Sequence, residues 1–127
     1  MLTRRTAVAL VRWSLTVTLL VATPVWADTA FVDGFDDLPL MPGLSQESGR
    51  AVQFDSPYGR IIESWATGNQ KIEAVVEFYE NTLPHLGWIA DSSDHYHRDS
   101  DVLVLDIHRK GSGVEVHFSD SPVQKTP

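Results

Sequence analysis

The fold is decided by residues 95–119, HYHRDSDVLVLDIHRKGSGVEVHFS, in which apolar and polar side chains alternate around two short turns. Alternation with a period of two is typical of strands that bury one face. The two-residue turns Asp99-Ser100 and Gly111-Ser112 fix the register of three antiparallel strands. A slip of one residue would destroy the match of apolar partners on the core face. The predicted pairs are Arg98 with Asp101, Tyr96 with Leu103, Leu105 with Phe118, Ile107 with Val116, and Lys110 with Gly113.

The opposite face of these strands gathers histidines and acids. In the predicted register Asp106 lies opposite His117, and His108 lies opposite Glu115. Two imidazoles and two carboxylates suit Zn²⁺ in kind and number, so these four residues are the candidate zinc ligands. The alternative is that they form ordinary cross-strand polar pairs on a solvated sheet face, and this interpretation is favoured. The predicted members of the face are His95, His97, Val102, Val104, Asp106, His108, Glu115 and His117.

A helix is predicted upstream, within residues 67–87, where the apolar residues recur at spacings of three and four. Thr67 with Gln70, or Asn69 alone, is a candidate N-terminal cap. Pro84 ends or kinks the helix near Leu83, and Gly87 is placed for a left-handed C-terminal residue. The apolar positions are Ile72, Val75, Val76, Tyr79, Leu83 and Leu86.

A β-hairpin is predicted before the helix. Residues 50–56 and 60–66 are rich in β-forming residues and are joined by Pro57-Tyr58-Gly59, a sequence typical of a type I turn with a bulge. With Ser56 opposite Arg60, Phe54 faces Ile62 and Val52 faces Ser64 on the core face. The predicted fold class is α+β, a mainly antiparallel sheet of order ββαβββ with one amphipathic helix packed on one face.

The domain organisation follows from composition. Residues 50–120 form a single α+β domain, and residues 121–127, with prolines at 122 and 127, form a disordered tail. Residues 28–49 contain six large apolar residues among acids, prolines and glycines, which predicts an extended strap laid over the core. The alternative is that this segment binds a partner.

The first 27 residues have the layout of a secretory signal peptide. Arginines precede an apolar run from Trp13 to Val21 that is too short to span a bilayer, and the small residues Val25 and Ala27 precede a cleavage site. The prediction is a cut after Ala27, export to the periplasm or medium, and no membrane span in the mature form. A twin-arginine signal at Arg4-Arg5 and an uncleaved anchor are the less favoured alternatives.

Charge and cysteine content narrow the function classes. Residues 28–127 hold 7 Lys and Arg against 17 Asp and Glu, a formal charge of −10. Such a chain is repelled by nucleic acid and by anionic lipid, so nucleic-acid binding is the least favoured function, and no nucleic-acid partner is predicted. The chain has no cysteine, so the fold rests on one hydrophobic core without disulfides.

Three motifs resemble a group of small uncharacterised exported proteins of Gram-negative bacteria. They are DLPLMPGL at 37–44, FDSPYGRIIE at 54–63 and FYENTLPHLGW at 78–88. The resemblance implies an envelope location and a fold class. It implies no activity, because the group has none established, and it identifies no functional residues.

Sequence motifs for catalysis are missing. The sequence has no cysteine nucleophile, Gly-x-Ser-x-Gly elbow, glycine-rich phosphate loop or His-Glu-x-x-His motif. The predicted function is therefore a non-enzymatic, exported binding domain for an envelope protein or a small ligand, without a cofactor. The alternative from another class is a zinc-binding protein that uses Asp106, His108, Glu115 and His117.

Overall fold

The fold is α+β, with a mainly antiparallel sheet and one α-helix. The computed structural model describes residue 22 and residues 29–124. In chain order its elements are β1 (Leu44–Gln46), β2 (Val52–Ser56), β3 (Gly59–Gly68), α1 (Ile72–Thr82), a 3₁₀ turn (Leu83–Leu86), β4 (Ile89–Ala90), β5 (His95–Arg98), β6 (Asp101–Lys110) and β7 (Gly113–Pro122). The sheet order is β1-β3-β7-β6-β5-β4, and β2 pairs with the same edge of β3 as β1.

The predicted order ββαβββ differs from this arrangement. Three strands precede the helix and four follow it. The strand before the hairpin is the three-residue β1, which lies inside the predicted strap. At the far edge of the sheet, β4 contains only two residues. A short strand over residues 88–91 is indicated by the sequence, whereas a strand as short as β1 leaves no alternating pattern that the sequence could reveal.

One face of the sheet carries the core, and α1 and residues 29–43 cover it. The side chains that β3, β6 and β7 contribute to the core alternate along each strand with outward-facing ones, as the predicted period of two requires. Phe118 packs edge to face against Tyr79 of the helix and against Phe35 of the strap. The buried apolar residues are Val32, Phe35, Leu38, Leu44, Ile62, Ala66, Val75, Tyr79, Leu83, Trp88, Tyr96, Leu103, Leu105, Val114, Val116 and Phe118.

The predicted register of the last three strands is confirmed. β5 pairs with β6 across the Asp99-Ser100 turn, and β6 pairs with β7 across the Gly111-Ser112 turn, with the predicted partners throughout. Asp99 and Gly111 adopt positive φ angles of 53° and 59°, which tight two-residue turns demand.

The predicted register of the first hairpin is wrong by one residue. Ser56 lies opposite Gly59, so the turn contains only Pro57 and Tyr58, and Phe54 lies opposite Ile61. The Ser56 hydroxyl closes this shorter turn, because it accepts the Tyr58 N–H and donates to the Gly59 carbonyl. The slip turns Phe54 and Val52 away from the core, and their side chains are 50% and 46% exposed.

The C-terminal end of the helix agrees with the prediction, and its N-terminal cap does not. Gly87 has a φ of 86°, and the Trp88 N–H donates to the Leu83 carbonyl, so the chain turns back on the last helical turn. At the other end Lys71 is the capping residue and makes no side-chain hydrogen bond to the helix. The helix starts at Ile72, two residues after Gln70, too late for Thr67 or Asn69 to reach its first free N–H groups.

The segment predicted as a strap supplies four buried side chains, Val32, Phe35, Leu38 and Leu44. The predicted tail is ordered at its start. β7 continues through Ser121 and Pro122, because these two residues pair with Val102 and Asp101, so the sheet extends two residues beyond the predicted end of the domain. The predicted signal peptide, with its cleavage site after Ala27, and residues 125–127 lie outside the described residues apart from residue 22. Among the described helices none is long and apolar enough to cross a membrane.

Candidate functional site

The four predicted zinc ligands lie on the sheet face opposite the helix, which we call the open face. Asp106 is paired with His117 and His108 with Glu115, as predicted. The side chains do not converge on one point. The His108 Nε2 lies 3.1 Å from the Glu115 Oε1, whereas the His117 Nε2 has as its nearest acid Glu63, at 4.0 Å.

Glu115 is the most strongly bound of the four residues. Its Oε2 accepts hydrogen bonds from the Lys110 Nζ at 2.6 Å and from the Arg50 guanidinium at 2.9 Å. The hydrogen bond from Lys110, followed by that from Arg50, lowers the pKa of Glu115 to about 2. Lys110 and Arg50 also bind Glu47, whose pKa is lowered for the same reason. Glu115 therefore belongs to a compact ion network of two acids and two bases.

This network competes with a metal ion. A zinc ion at the Glu115 Oε2 would have to displace Lys110 or Arg50, and one at the Oε1 would have to replace the direct contact with His108. Within residues 29–124 no group of three or more His, Asp and Glu side chains is arranged to hold a metal. The zinc site stays a prediction that depends on rearrangement of these side chains.

A stacked column lies next to the network, and sequence reasoning missed it. The Trp65 ring stacks on the His117 ring at a centroid distance of 4.4 Å and an angle of 6°, and the Arg50 guanidinium lies 4.6 Å from the Trp65 ring centre. The column holds Arg50 in place to bind Glu115. Trp65 reaches His117 because β3 pairs with β7. These two strands are far apart in the sequence, so no local turn indicates that they pair.

His95 and His97 form a separate set at the edge of the open face. The His95 Nδ1 lies 3.0 Å from the Asp94 carboxylate, and the His97 Nδ1 lies 2.9 Å from the Asp91 carboxylate. Each pair is exposed and lies in or next to the 91–94 turn. Pairs of this kind contribute little to stability, and these two are best explained as solvated polar pairs on the surface.

The second feature that sequence reasoning missed is an open groove at the hairpin end of the open face. It encloses about 520 Å³ and is open to solvent on one side. A second depression of about 370 Å³ adjoins it beside Asp99 and Ser100. The groove is lined by Ser56, Pro57, Tyr58, Ile61, Val102, Ser121, Pro122, Val123 and Gln124.

Three separate parts of the chain build this groove. The turn of the first hairpin supplies one wall with Tyr58, which is 70% exposed. The end of β7 and the residue after it supply another wall with Pro122 and Val123, and the Val123 N–H is held by the Ser100 carbonyl at 2.7 Å. Ile61 and Val102 form the floor. Sequence reasoning missed this groove because it predicted residues 121–127 to be disordered. The feature of the sequence that could have indicated a binding site is a tyrosine, Tyr58, in a tight turn.

Comparisons of the chain with protein-family models, with curated proteins and with solved structures find no match. The resemblance to small exported proteins therefore stays a prediction, and the site has to be interpreted from its own geometry.

Proposed function

We propose that this protein is a non-enzymatic binding domain of the bacterial envelope that holds an extended, cationic and apolar peptide segment of a partner protein. The observation that carries the proposal is the open groove between the Pro57-Tyr58 turn and Val123. A groove of this volume lies within the range of known ligand sites.

The lining favours an apolar ligand with some polar contacts. Tyr58 and Val123 are exposed by 70% and 45%, and burying them under a ligand removes apolar surface from water. Tyrosine is enriched at protein interfaces because its ring is large and rigid and its hydroxyl still finds a partner. The groove is open to solvent rather than enclosed, so it suits a segment of a partner protein better than a small molecule that must be enclosed.

The charge of the protein supports a cationic partner. Residues 28–127 carry a formal charge of −10, and Asp99 lies in the depression next to the groove. Asp55, near the end of β2, adds a second acid close to the groove. Its side chain is highly exposed, and its Oδ1 lies 3.5 Å from the Arg60 Nε. An acidic surface attracts basic segments and raises the rate of their association.

The location rests on residues 1–27. Their basic, apolar and small-residue parts in that order support export through the inner membrane and cleavage after Ala27. An intact-mass measurement on protein released from the periplasm tests this part of the proposal, with Asp28 expected as the first residue.

The binding test uses two synthetic seven-residue peptides that alternate charged and apolar residues, one with lysines and one with glutamates. Addition of the lysine peptide to the ¹⁵N-labelled protein should shift the amide signals of Tyr58, Ile61, Val102 and Val123, and added salt should weaken the binding. Tyr58→Ser should lower the affinity at least tenfold. Phe31→Ser is the matched control, because Phe31 is a half-exposed aromatic residue on the strap.

Three results contradict the proposal. The first is shifts that map to another surface, and the second is an equal affinity for the glutamate peptide. The third is a Tyr58→Ser variant that binds as tightly as the Phe31→Ser control.

A further inference from the structure

Independently of the groove, we infer that two copies of this chain associate by pairing their β2 strands edge to edge, around a two-fold axis at Gln53. β2 lies on the outer edge of the sheet and pairs only with β3 among the described strands. An exposed edge strand presents unpaired N–H and C=O groups and pairs readily with another strand.

The hydrogen-bond alternation of the hairpin identifies which groups are free. Ser56 and Gly59 flank the two-residue turn and form the first pair. In an antiparallel ladder the hydrogen-bonded pairs then recur at every second residue, at Phe54 and at Val52. The backbone groups of Gln53 and Asp55 therefore point outward, away from β3.

The side chains around Gln53 are self-complementary. Val52 and Phe54 flank it symmetrically, point to the open face and are 46% and 50% exposed. With the axis at Gln53, Val52 of one copy lies opposite Phe54 of the other, and this contact occurs twice. Aromatic and β-branched residues are favourable cross-strand partners, and an isologous interface requires such repetition.

The charges exclude the neighbouring register. An axis at Asp55 would place two carboxylates directly opposite each other, which is destabilising. The axis at Gln53 places Asp55 opposite Ala51 instead. Because each copy is strongly acidic, long-range repulsion opposes the pairing, and we expect added salt to strengthen it.

The geometry also sets the form of the pair. A two-fold axis between antiparallel strands of one sheet runs perpendicular to that sheet, so the two open faces point in the same direction. Few residues of each copy contribute, so the association is of the weak, small-interface kind.

Engineered cysteines give a direct test, since the natural chain has none. In Gln53→Cys the two cysteines lie opposite each other with Cα atoms about 5.5 Å apart, a distance that a disulfide spans. In the matched control Asp55→Cys they are displaced by four residues along the strands, and their Cα atoms lie about 14 Å apart. Mild oxidation should therefore produce a disulfide dimer from Gln53→Cys at least tenfold faster than from Asp55→Cys.

Sedimentation of the exported protein without engineered cysteines provides a second measurement. Its weight-average mass should rise with protein concentration, and more steeply in high salt. Phe54→Lys should abolish the rise, whereas Phe31→Lys, on the strap, should not. Equal oxidation rates of the two cysteine variants, or a mass that stays monomeric up to millimolar concentration, would overturn the inference. Peptide binding at the groove is measured separately, so its failure would leave this result unaffected.

Discussion

The Tyr79 hydroxyl connects the helix to the strap, and its removal tests how much this connection contributes to stability. The side chain is fully buried, and its hydroxyl donates to the Pro39 carbonyl at 3.0 Å and accepts the Met41 N–H at 3.2 Å. Burial also raises the pKa of Tyr79, so the hydroxyl stays protonated throughout the physiological range.

Tyr79→Phe retains the ring and removes both hydrogen bonds. A buried backbone group that loses its partner costs roughly 1–3 kcal/mol, and both groups here are only partly buried, so each should cost about 1–1.5 kcal/mol and the variant should be less stable by about 2–3 kcal/mol. For a domain of about 100 residues, this corresponds to a fall in Tm of about 10–15 °C. Urea denaturation, monitored by tryptophan fluorescence, measures the free energy of unfolding. Hydrogen exchange at the Met41 amide should also be faster in the variant.

Tyr96→Phe is the matched control. Tyr96 is equally buried, but its hydroxyl makes a single long hydrogen bond, to the Ser93 carbonyl at 3.3 Å. Its loss should cost less than about 1 kcal/mol. If the two variants unfold within about 0.5 kcal/mol of each other, the Tyr79 hydroxyl does not hold the strap, and the reasoning from its two partners is refuted.

Two further perturbations probe the charged groups. If the open face binds no metal, replacing His108 and His117 together by alanine should lower the free energy of unfolding by about 1–3 kcal/mol, because the change removes the stack of His117 on Trp65 and the contact of His108 with Glu115. If the open face binds zinc, Zn²⁺ at 100 times its dissociation constant should stabilise the natural protein by roughly 2.7 kcal/mol, and the same substitutions should remove that gain. Calorimetry with and without Zn²⁺ distinguishes these outcomes, and an unchanged natural protein rules out the metal. Burial, followed by the neighbouring Asp101 carboxylate, raises the pKa of Asp120 to about 6. The folded protein therefore binds this proton more tightly than the unfolded chain, and Asp120 contributes increasing stability as the pH falls from about 6 to about 4. Asp120→Asn should flatten that part of the stability curve and raise the stability at pH 7, whereas the exposed Asp106→Asn should do neither; parallel curves for both variants would contradict this assignment.

The parts of the fold that the sequence predicts are those fixed by local turns. Asp99-Ser100 and Gly111-Ser112 each leave only one register that buries the apolar residues, and the structure has both. The first hairpin shows where this reasoning fails. Pro57-Tyr58-Gly59 is compatible with a two-residue turn or with a bulged turn, and the Ser56 hydroxyl, whose orientation no sequence pattern gives, closes the shorter one.

The candidate sites were harder to predict because their residues are distant in the sequence. The pairing of Asp106 with His117 follows from one turn, so the predicted polar pairs are present. Arg50 and Trp65, which complete the surroundings of Glu115 and His117, require the non-local pairing of β3 with β7. The groove likewise needs Tyr58, Val102 and Val123 together, three residues whose positions in the sequence give no sign of their proximity.

The central position of β7 has a consequence for the order of folding. β7 lies between β3 and β6, so the half of the sheet built from β1, β2 and β3 meets the half built from β4, β5 and β6 only through β7, the last of the described strands. Contacts of such long sequence separation form late, after the cost of closing a long loop has been met. A nascent chain cannot close its core before residues 113–122 leave the ribosome. The arrangement keeps the polypeptide open until this strand has been made, which is the state that the proposed export as an unfolded chain would require.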